Sequence, residues 1–173
     1  MPVREALGRL QAEGMVVFET YRGATVTPLS HSEAEQIYLM RIALEPLLGR
    51  LGSERLQPTG VVALDQAYSE MTAALDAGDA GRYYDQVRAF HETLYAAAGM
   101  SLVLEQVLGL RNLAQRYIRR YLALPGRLAH SVDNHRLLLD AVRAGSAHEV
   151  ERLLREELIA TRAALLASLS AGK

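Results

Sequence analysis

The sequence predicts a mainly α protein, an antiparallel bundle of helices from about Ser30 to the C-terminus (residues 30–173) preceded by a small α+β fragment over residues 1–29. Three observations predict it. From Ser30 onward apolar residues recur at three- and four-residue spacing, and the breaks between runs are only a few residues of Gly, Pro, Asp or Ser. Connections that short make neighbouring helices antiparallel. Ahead of them, one β-branched and aromatic run, "MVVFET", precedes a "YRG" turn and "ATVTP".

Each element has a local reason. Pro2 suits a first helical turn, Val3, Ala6, Leu7 and Leu10 follow at helical spacing, and Gly14 is a stop. Two short strands then meet at a tight turn on Arg22-Gly23, and Pro28 closes the unit. About 29 residues are too few to hold a core alone. Ser30 with Glu33 reads as a capping box. The helix it opens carries Ile37, Met40, Leu44, Leu48 and Leu51 on one face, and Pro46 is expected to kink or split it. Further helices are predicted over about Val61–Ala77, from Asp79 as N-cap to Ala98, from Ser101 as cap to near Leu124, over about Arg127–Ala144, and over about Ala147–Leu169. There is no repeat, low-complexity stretch or sustained heptad seam.

Composition narrows the function classes. The chain has 173 residues, 50% of them hydrophobic, and a net charge of −1, so no global basic field advertises a nucleic acid and any DNA contact is local. Without cysteine there is no disulfide and no thiolate metal site. No apolar run reaches the roughly 18 residues of a membrane span, and a cytoplasmic protein is the expectation. Lys173 is the only lysine, an arginine bias that suggests a GC-rich bacterial genome.

The informative residues are those that interrupt the apolar stripes. His91 stands in the stripe of Tyr84, Val87 and Leu94. His135 stands among Leu128, Val132, Leu138, Leu139 and Val142. Glu157 stands among Val150, Leu153, Leu154, Leu158, Thr161 and Leu165, and Arg41 between Ile37 and Leu44. Unpaired buried charge costs several kcal/mol or more, so such groups meet one another, bind a metal or stay neutral. His91, His135 and Glu157 together would form a two-histidine, one-carboxylate shell for a divalent ion with positions left open. Arg41 is then a fork for a carboxylate, either Glu157 or an incoming organic acid.

Plainer readings stand beside these. A lone histidine in an apolar stripe is commonly a hydrogen-bonded core residue, Glu157 can sit at a rim, and Arg41 can brace two helices through Glu45. His31, His130 and His148 fall near helix ends, where solvation is expected. "YY" and "RYIRRY" read as packing with a solvated basic edge, with a ligand role for Arg111, Arg116 or Arg119 the lesser reading. No Gly-rich phosphate loop, G-x-S-x-G elbow or H-E-x-x-H zinc motif is present, so no enzyme is expected.

"PVREALGRLQAEGMVVFETYRGATV" resembles the second half of a GntR-type winged helix-turn-helix, the end of its recognition helix and its two-stranded wing. "LMRIALEPLLGRLGSERL", "RAFHETLYAAAGMSLVLEQV" and "NHRLLLDAVRAGSAHEVERLLREEL" resemble the all-helical effector domain of the FadR subfamily, the FCD domain. The resemblance implies a dimeric transcriptional regulator that binds palindromic operator DNA and is tuned by a small carboxylate-bearing metabolite. It implies DNA contacts from Arg4 and Arg9 on the recognition helix and from Arg22 and Gly23 at the wing tip. An arginine in the major groove reads guanine edges, and a glycine lets the backbone approach phosphates.

Two departures qualify it. The family's winged domain has earlier helices, and this sequence opens within the recognition helix, with three Arg and three Glu in residues 1–29. The chain as it stands is therefore expected to bind operator DNA poorly, as a truncated form or one with a misassigned start. Many members also hold a divalent metal with one Asp and three His. Here His91 and His135 match two of the histidines, but the Asp position is Val87, the third His is Glu157, and Asp85 is out of phase with His91. A divalent zinc or nickel held weakly, or none, is the expectation, with the effector held by Arg41, His91, His135 and Glu157. The alternatives are a sensor or dimerisation module without DNA binding and, further off, a metal-dependent hydrolase.

Overall fold

The computed structural model describes residues 2–12, 16–19 and 23–170. Helix α1 (Pro2–Ala12) and the antiparallel hairpin β1 (Val16–Glu19) and β2 (Gly23–Val26) form the first unit, with Val16 opposite Val26 and Glu19 opposite Gly23. Gly23 has φ +75°, the left-handed region in which a side chain would be strained. The turn at Arg22 and the stop at Gly14 lie outside the described residues.

The bundle is built of α2 (His31–Arg55), α3 (Pro58–Asp76), α4 (Ala80–Ala96), α5 (Ser101–Leu122), α6 (Arg127–Arg143) and α7 (Ala147–Ser170). α2 lies at its centre and packs on α7, α5 and α4, while α3 packs on α4 and α6. The main core joins Leu48, Leu64, Met71, Phe90, Leu94 and Leu138 among others. A smaller cluster of Ile37, Tyr38, Ala114, Tyr117, Leu158 and Leu165 fills the end nearest the hairpin. No helix among the described residues is long and apolar enough to cross a membrane.

Several local expectations are met and several corrected. Asp79 caps α4, its side chain accepting from the Arg82 N–H at 3.0 Å. Ser30 caps α2 by accepting from the Glu33 N–H at 3.3 Å. Glu33 does not return the bond as a capping box would. Its carboxylate takes Arg116 and the Tyr117 hydroxyl instead, and the Ser30 N–H donates to the Tyr117 oxygen at 3.1 Å. α5 begins at Ser101 with Met100 as its cap residue and no side-chain cap. Pro46 neither splits nor ends α2. A proline deprives the carbonyl four residues earlier of its donor. That carbonyl, Ile42, accepts from Arg155 of α7 at 3.5 Å. The buried face of α2 runs through Ala34, Ile37, Tyr38, Arg41, Glu45, Leu48 and Gly52, while Met40 is exposed. The polar pair in that stripe marks the functional centre.

Candidate functional site

Five helices wall one cavity, with about 510 Å³ of unfilled space including its mouth. α2 brings Tyr38, Arg41 and Glu45, and α5 brings Arg111 and Tyr121. α4 adds His91, α6 adds His135, and α7 adds Glu157. The four ionisable residues that interrupt the apolar stripes thus meet at one place. His31, His130 and His148 are exposed at helix ends, as expected.

Glu45 is the hub, 1% exposed. Its carboxylate accepts from the Arg41 Nε–H, from Arg111 at 2.8 Å and from the Tyr95 hydroxyl at 2.8 Å. Burial alone would raise its pKa. Arg41, Arg111 and the hydrogen bonds from Arg41 and Tyr95 overcome burial and hold it at about 2. The fork of Arg41 is therefore filled by Glu45, one turn along the same helix, and not by Glu157. Two guanidiniums share one carboxylate, so this buried trio carries a net charge of about +1.

The histidines are wired to the same hub. The His135 Nδ1–H donates to the Ser131 carbonyl at 2.7 Å, which leaves its Nε2 as a lone pair. Tyr95 has one proton, and the ionised Glu45 takes it, because a charged acceptor outcompetes a neutral imidazole. The Tyr95 oxygen, 3.1 Å from His91 Nδ1, is then an acceptor, and His91 too keeps its proton on Nδ1. The two Nε2 lone pairs face each other across 3.2 Å. Protonation is the disfavoured way to relieve them. Burial first, then Arg111, His135 and Arg41, hold His91 well below the usual histidine range. Burial, then Arg111, overcome the Ser131 bond and bring His135 to about 4.

Two neutral imidazoles aimed at one point, each fixed by a hydrogen bond on its other nitrogen, fit two ligands of a divalent ion. Nitrogens at ordinary zinc distance on a tetrahedral ion stand about 3.3 Å apart, close to the spacing here. The other positions do not complete a shell. Val87 offers only hydrocarbon, and among the described residues no three His, Asp or Glu could share an ion. Glu157 is half-buried at the cavity wall. Burial raises its pKa against a hydrogen bond from Asn134 and the charges of His130, Arg41 and Arg111.

Glu45, Tyr95 and Arg111 are the members that stripe-reading passed over or ranked low. Arg111 had a signal. Val107, Arg111, Ala114, Ile118 and Tyr121 recur at helical spacing, the test that picks out His91 and His135. Arg116 and Arg119, in contrast, pair with Glu33 and cover the Tyr84 ring. Of the residues implied in DNA contact, Arg4 is exposed on α1, and Gly23 starts β2. Arg22 and the side chain of Arg9 lie outside the described residues.

Residues 36–160, which include all of the cavity's lining residues but Thr161, match the FCD domain. The chain belongs to the FCD-domain family. The chain is similar to several transcriptional regulators. The HTH-type transcriptional repressor GlaR of Escherichia coli is 29% identical over 167 residues, which cover 91% of this chain and 76% of GlaR. An uncharacterized HTH-type transcriptional regulator of Agrobacterium vitis, from the TAR-I ttuE-ttuC' intergenic region, is 36% identical over 100 residues. That match covers 56% of this chain and 58% of the relative. The solved structure of Escherichia coli McbR/YncC superposes with a TM-score of 0.81 at 25% identity, over 96% of this chain and 84% of that one. These relatives are regulators and not enzymes, and the chain is a transcriptional regulator of the GntR family carrying an FCD domain.

Proposed function

We propose that the FCD cavity senses a small carboxylate-bearing metabolite and passes its presence to an operator-binding head. The observation that carries this reading is the charge of the buried trio. Arg41 and Arg111 against Glu45 leave about one positive charge over within the trio, beside the half-buried Glu157 of the same wall. A carboxylate supplies the missing charge and matches the guanidinium fork. His91 and His135 would hold a zinc or nickel ion weakly as two ligands, and such an ion would add a positive, polarising centre to the anion site. With two protein ligands its affinity falls short of a full four-ligand shell.

Helix α5 supports a route for the signal. It carries Arg111 and Tyr121 in the cavity wall and, between them, Tyr117, whose hydroxyl holds the backbone of Ser30 where the hairpin unit joins the bundle. A ligand that favours one position of α5 biases the head through that clasp. It shifts the equilibrium only by its difference in affinity for the two arrangements. Operator DNA would be met by Arg4 and Arg9 of α1 and by Arg22 and Gly23 at the hairpin. Leu39 and Met40 on α2 and Leu102 and Leu113 on α5 are exposed apolar residues that suit a homodimer contact. The cytoplasm is where such a regulator meets its operator.

Thermal unfolding tests the carboxylate site. A ligand at about a hundred times its dissociation constant raises Tm by about 5–10 °C in a chain of this size. A panel of organic acids is expected to contain at least one that does so, and Arg111→Met, which leaves Arg41 and Glu45 paired one to one, abolishes the rise. Zinc or nickel added to metal-stripped protein raises Tm, and His91→Ala removes that increment. A panel without any stabilising acid, or an undiminished rise in Arg111→Met, overturns the reading.

A further inference from the structure

The cavity shares a wall with the outside of the bundle. A surface groove runs between α4 and α5, bordered by Arg88, Glu92, Asn112 and Gln115. Val87, Arg111 and Ile118 line this groove and line the cavity as well. The partition between solvent and the buried site is therefore one layer of side chains thick at this place. Val87 and Ile118 are half-buried, as a layer wetted on one face must be. Cation–π contacts pin α4 to α5 at the two ends of the stretch. The Arg111 guanidinium stands 5.8 Å from the Tyr95 ring centre and that of Arg119 5.0 Å from the Tyr84 ring centre. Arg111 and Arg119 are eight residues apart, about 12 Å along the helix, and Ile118 falls between them.

Val87 and Ile118 are short branched hydrocarbons with little reach. Arg111 has the long stem and the rotamer freedom to move. Its guanidinium donates to Glu45 on the cavity side at 2.8 Å, and Glu92 borders the groove on the other side. A carboxylate on each side gives the guanidinium a partner whether it points in or out. Charge favours entry here. Arg88 and Glu92 pair at 2.6 Å, so with Arg111 the groove is neutral to positive. Across the cavity, α7 places the Glu157 carboxyl in the wall, where it repels an arriving anion.

We infer that the cavity is entered through the groove between α4 and α5, and that Arg111 is the door of that entrance. An anion in the groove meets Arg111 first, and the swing that admits it also carries in the cation that holds it. This inference rests on the reading of the cavity as an anion sensor, but its test needs no effector.

The chain has no cysteine, so a thiol placed in the cavity is unique. Ser131→Cys puts one on α6 at a position that is 5% exposed and lines the cavity. Methyl methanethiosulfonate converts that thiol to a mixed disulfide with release of methanesulfinate, and mass spectrometry of the intact folded chain gives the rate. Gln115→Trp fills the groove from a position outside the cavity lining and is expected to slow labelling about tenfold. Asn134→Trp, beside Glu157 on the α6–α7 side, changes it by less than about twofold. Arg111→Ala and Val87→Ala each thin the partition and speed labelling, the former by about tenfold. The anionic sulfonatoethyl reagent outpaces its cationic trimethylammonium counterpart by about tenfold at low salt. Slowing by Asn134→Trp and not by Gln115→Trp places the entrance between α6 and α7 and overturns the inference. So does a rate that follows the unfolding free energy of the variants in urea, since the thiol is then reached only by unfolding. Equal rates for the two charged reagents, with the Gln115→Trp effect kept, uphold the entrance and count against the anion reading.

Discussion

Glu45 accepts four hydrogen bonds from Arg41, Arg111 and Tyr95 while 1% exposed. Its folded pKa of about 2 lies below the ordinary 4.5. The folded state therefore keeps the ionised form when the unfolded chain has taken up a proton. The resulting stability, on the order of 3 kcal/mol, is present above pH 4.5 and is lost as pH falls toward 2. His135 acts at higher pH with the same sign. Its pKa falls from 6.5 to about 4, so the unfolded chain binds a proton that the folded chain refuses. Its contribution is whole above pH 6.5 and erodes down to about 4. His91 adds to that limb. Unfolding followed by calorimetry is thus expected to show Tm falling from pH 6.5 downward. His135→Asn, which keeps a donor for the Ser131 carbonyl and cannot titrate, flattens the decline between pH 6.5 and 4. A Tm that is constant over that window contradicts the buried neutral pair.

At the scale of elements, α2 is shaped by the residues it lacks as much as by those it has. A methyl group at Gly52 would collide with the carbonyl oxygen of Leu94, so α2 and α4 approach until only hydrogen fits between them. That approach is what brings Glu45 of one helix to Tyr95 of the other. Backbone cannot rotate away as a side chain can, so Gly52→Ala is expected to cost about 2–3 kcal/mol. Gly109, on the exposed face of α5, is the control, because a Cβ there meets nothing within 4 Å. Gly109→Ala should stabilise by about 0.5–1 kcal/mol through the helix propensity of alanine. Urea denaturation of both variants decides it, and equal effects would mean that the helices separate freely. Pro46 makes a related point. Its helix runs on through the proline, and the orphaned Ile42 carbonyl accepts from Arg155 of α7, a tertiary partner at a local break.

The whole molecule is two units of unequal strength. The bundle holds both apolar clusters, while α1 and the hairpin pack chiefly on each other, with Val3 70% and Val26 80% exposed. Hydrogen exchange should show this directly. Amides of β1 and β2 are expected to exchange at least about a hundredfold faster than those in the middle of α2, α4 and α7, since opening the hairpin breaks few buried contacts. Equal protection would mean that the hairpin unit is held by the bundle. Most of the layout was legible in the chain. The six bundle helices fall within a few residues of their expected limits because the breaks at Gly78, Gly99, Gly126 and Gly145 are local chemistry. The cavity was half legible, since His91, His135, Glu157 and Arg41 betray themselves by replacing leucines. Tyr38 and Tyr121 do not, because a tyrosine in a stripe looks the same whether or not its hydroxyl finds a partner.

The sequence by itself determined that this is a helical bundle with a small hairpin unit, and that ionisable groups are buried in several helices. Periodicity and turn residues act within a few positions of one another, and they are written in order along the chain. Only the tertiary structure decided that Arg41 serves Glu45, that Arg111 joins them, and that two imidazoles face each other at 3.2 Å. Those outcomes depend on which helices lie side by side and how closely. Electrostatic pairing falls off with distance through space, to which position along the chain is no guide.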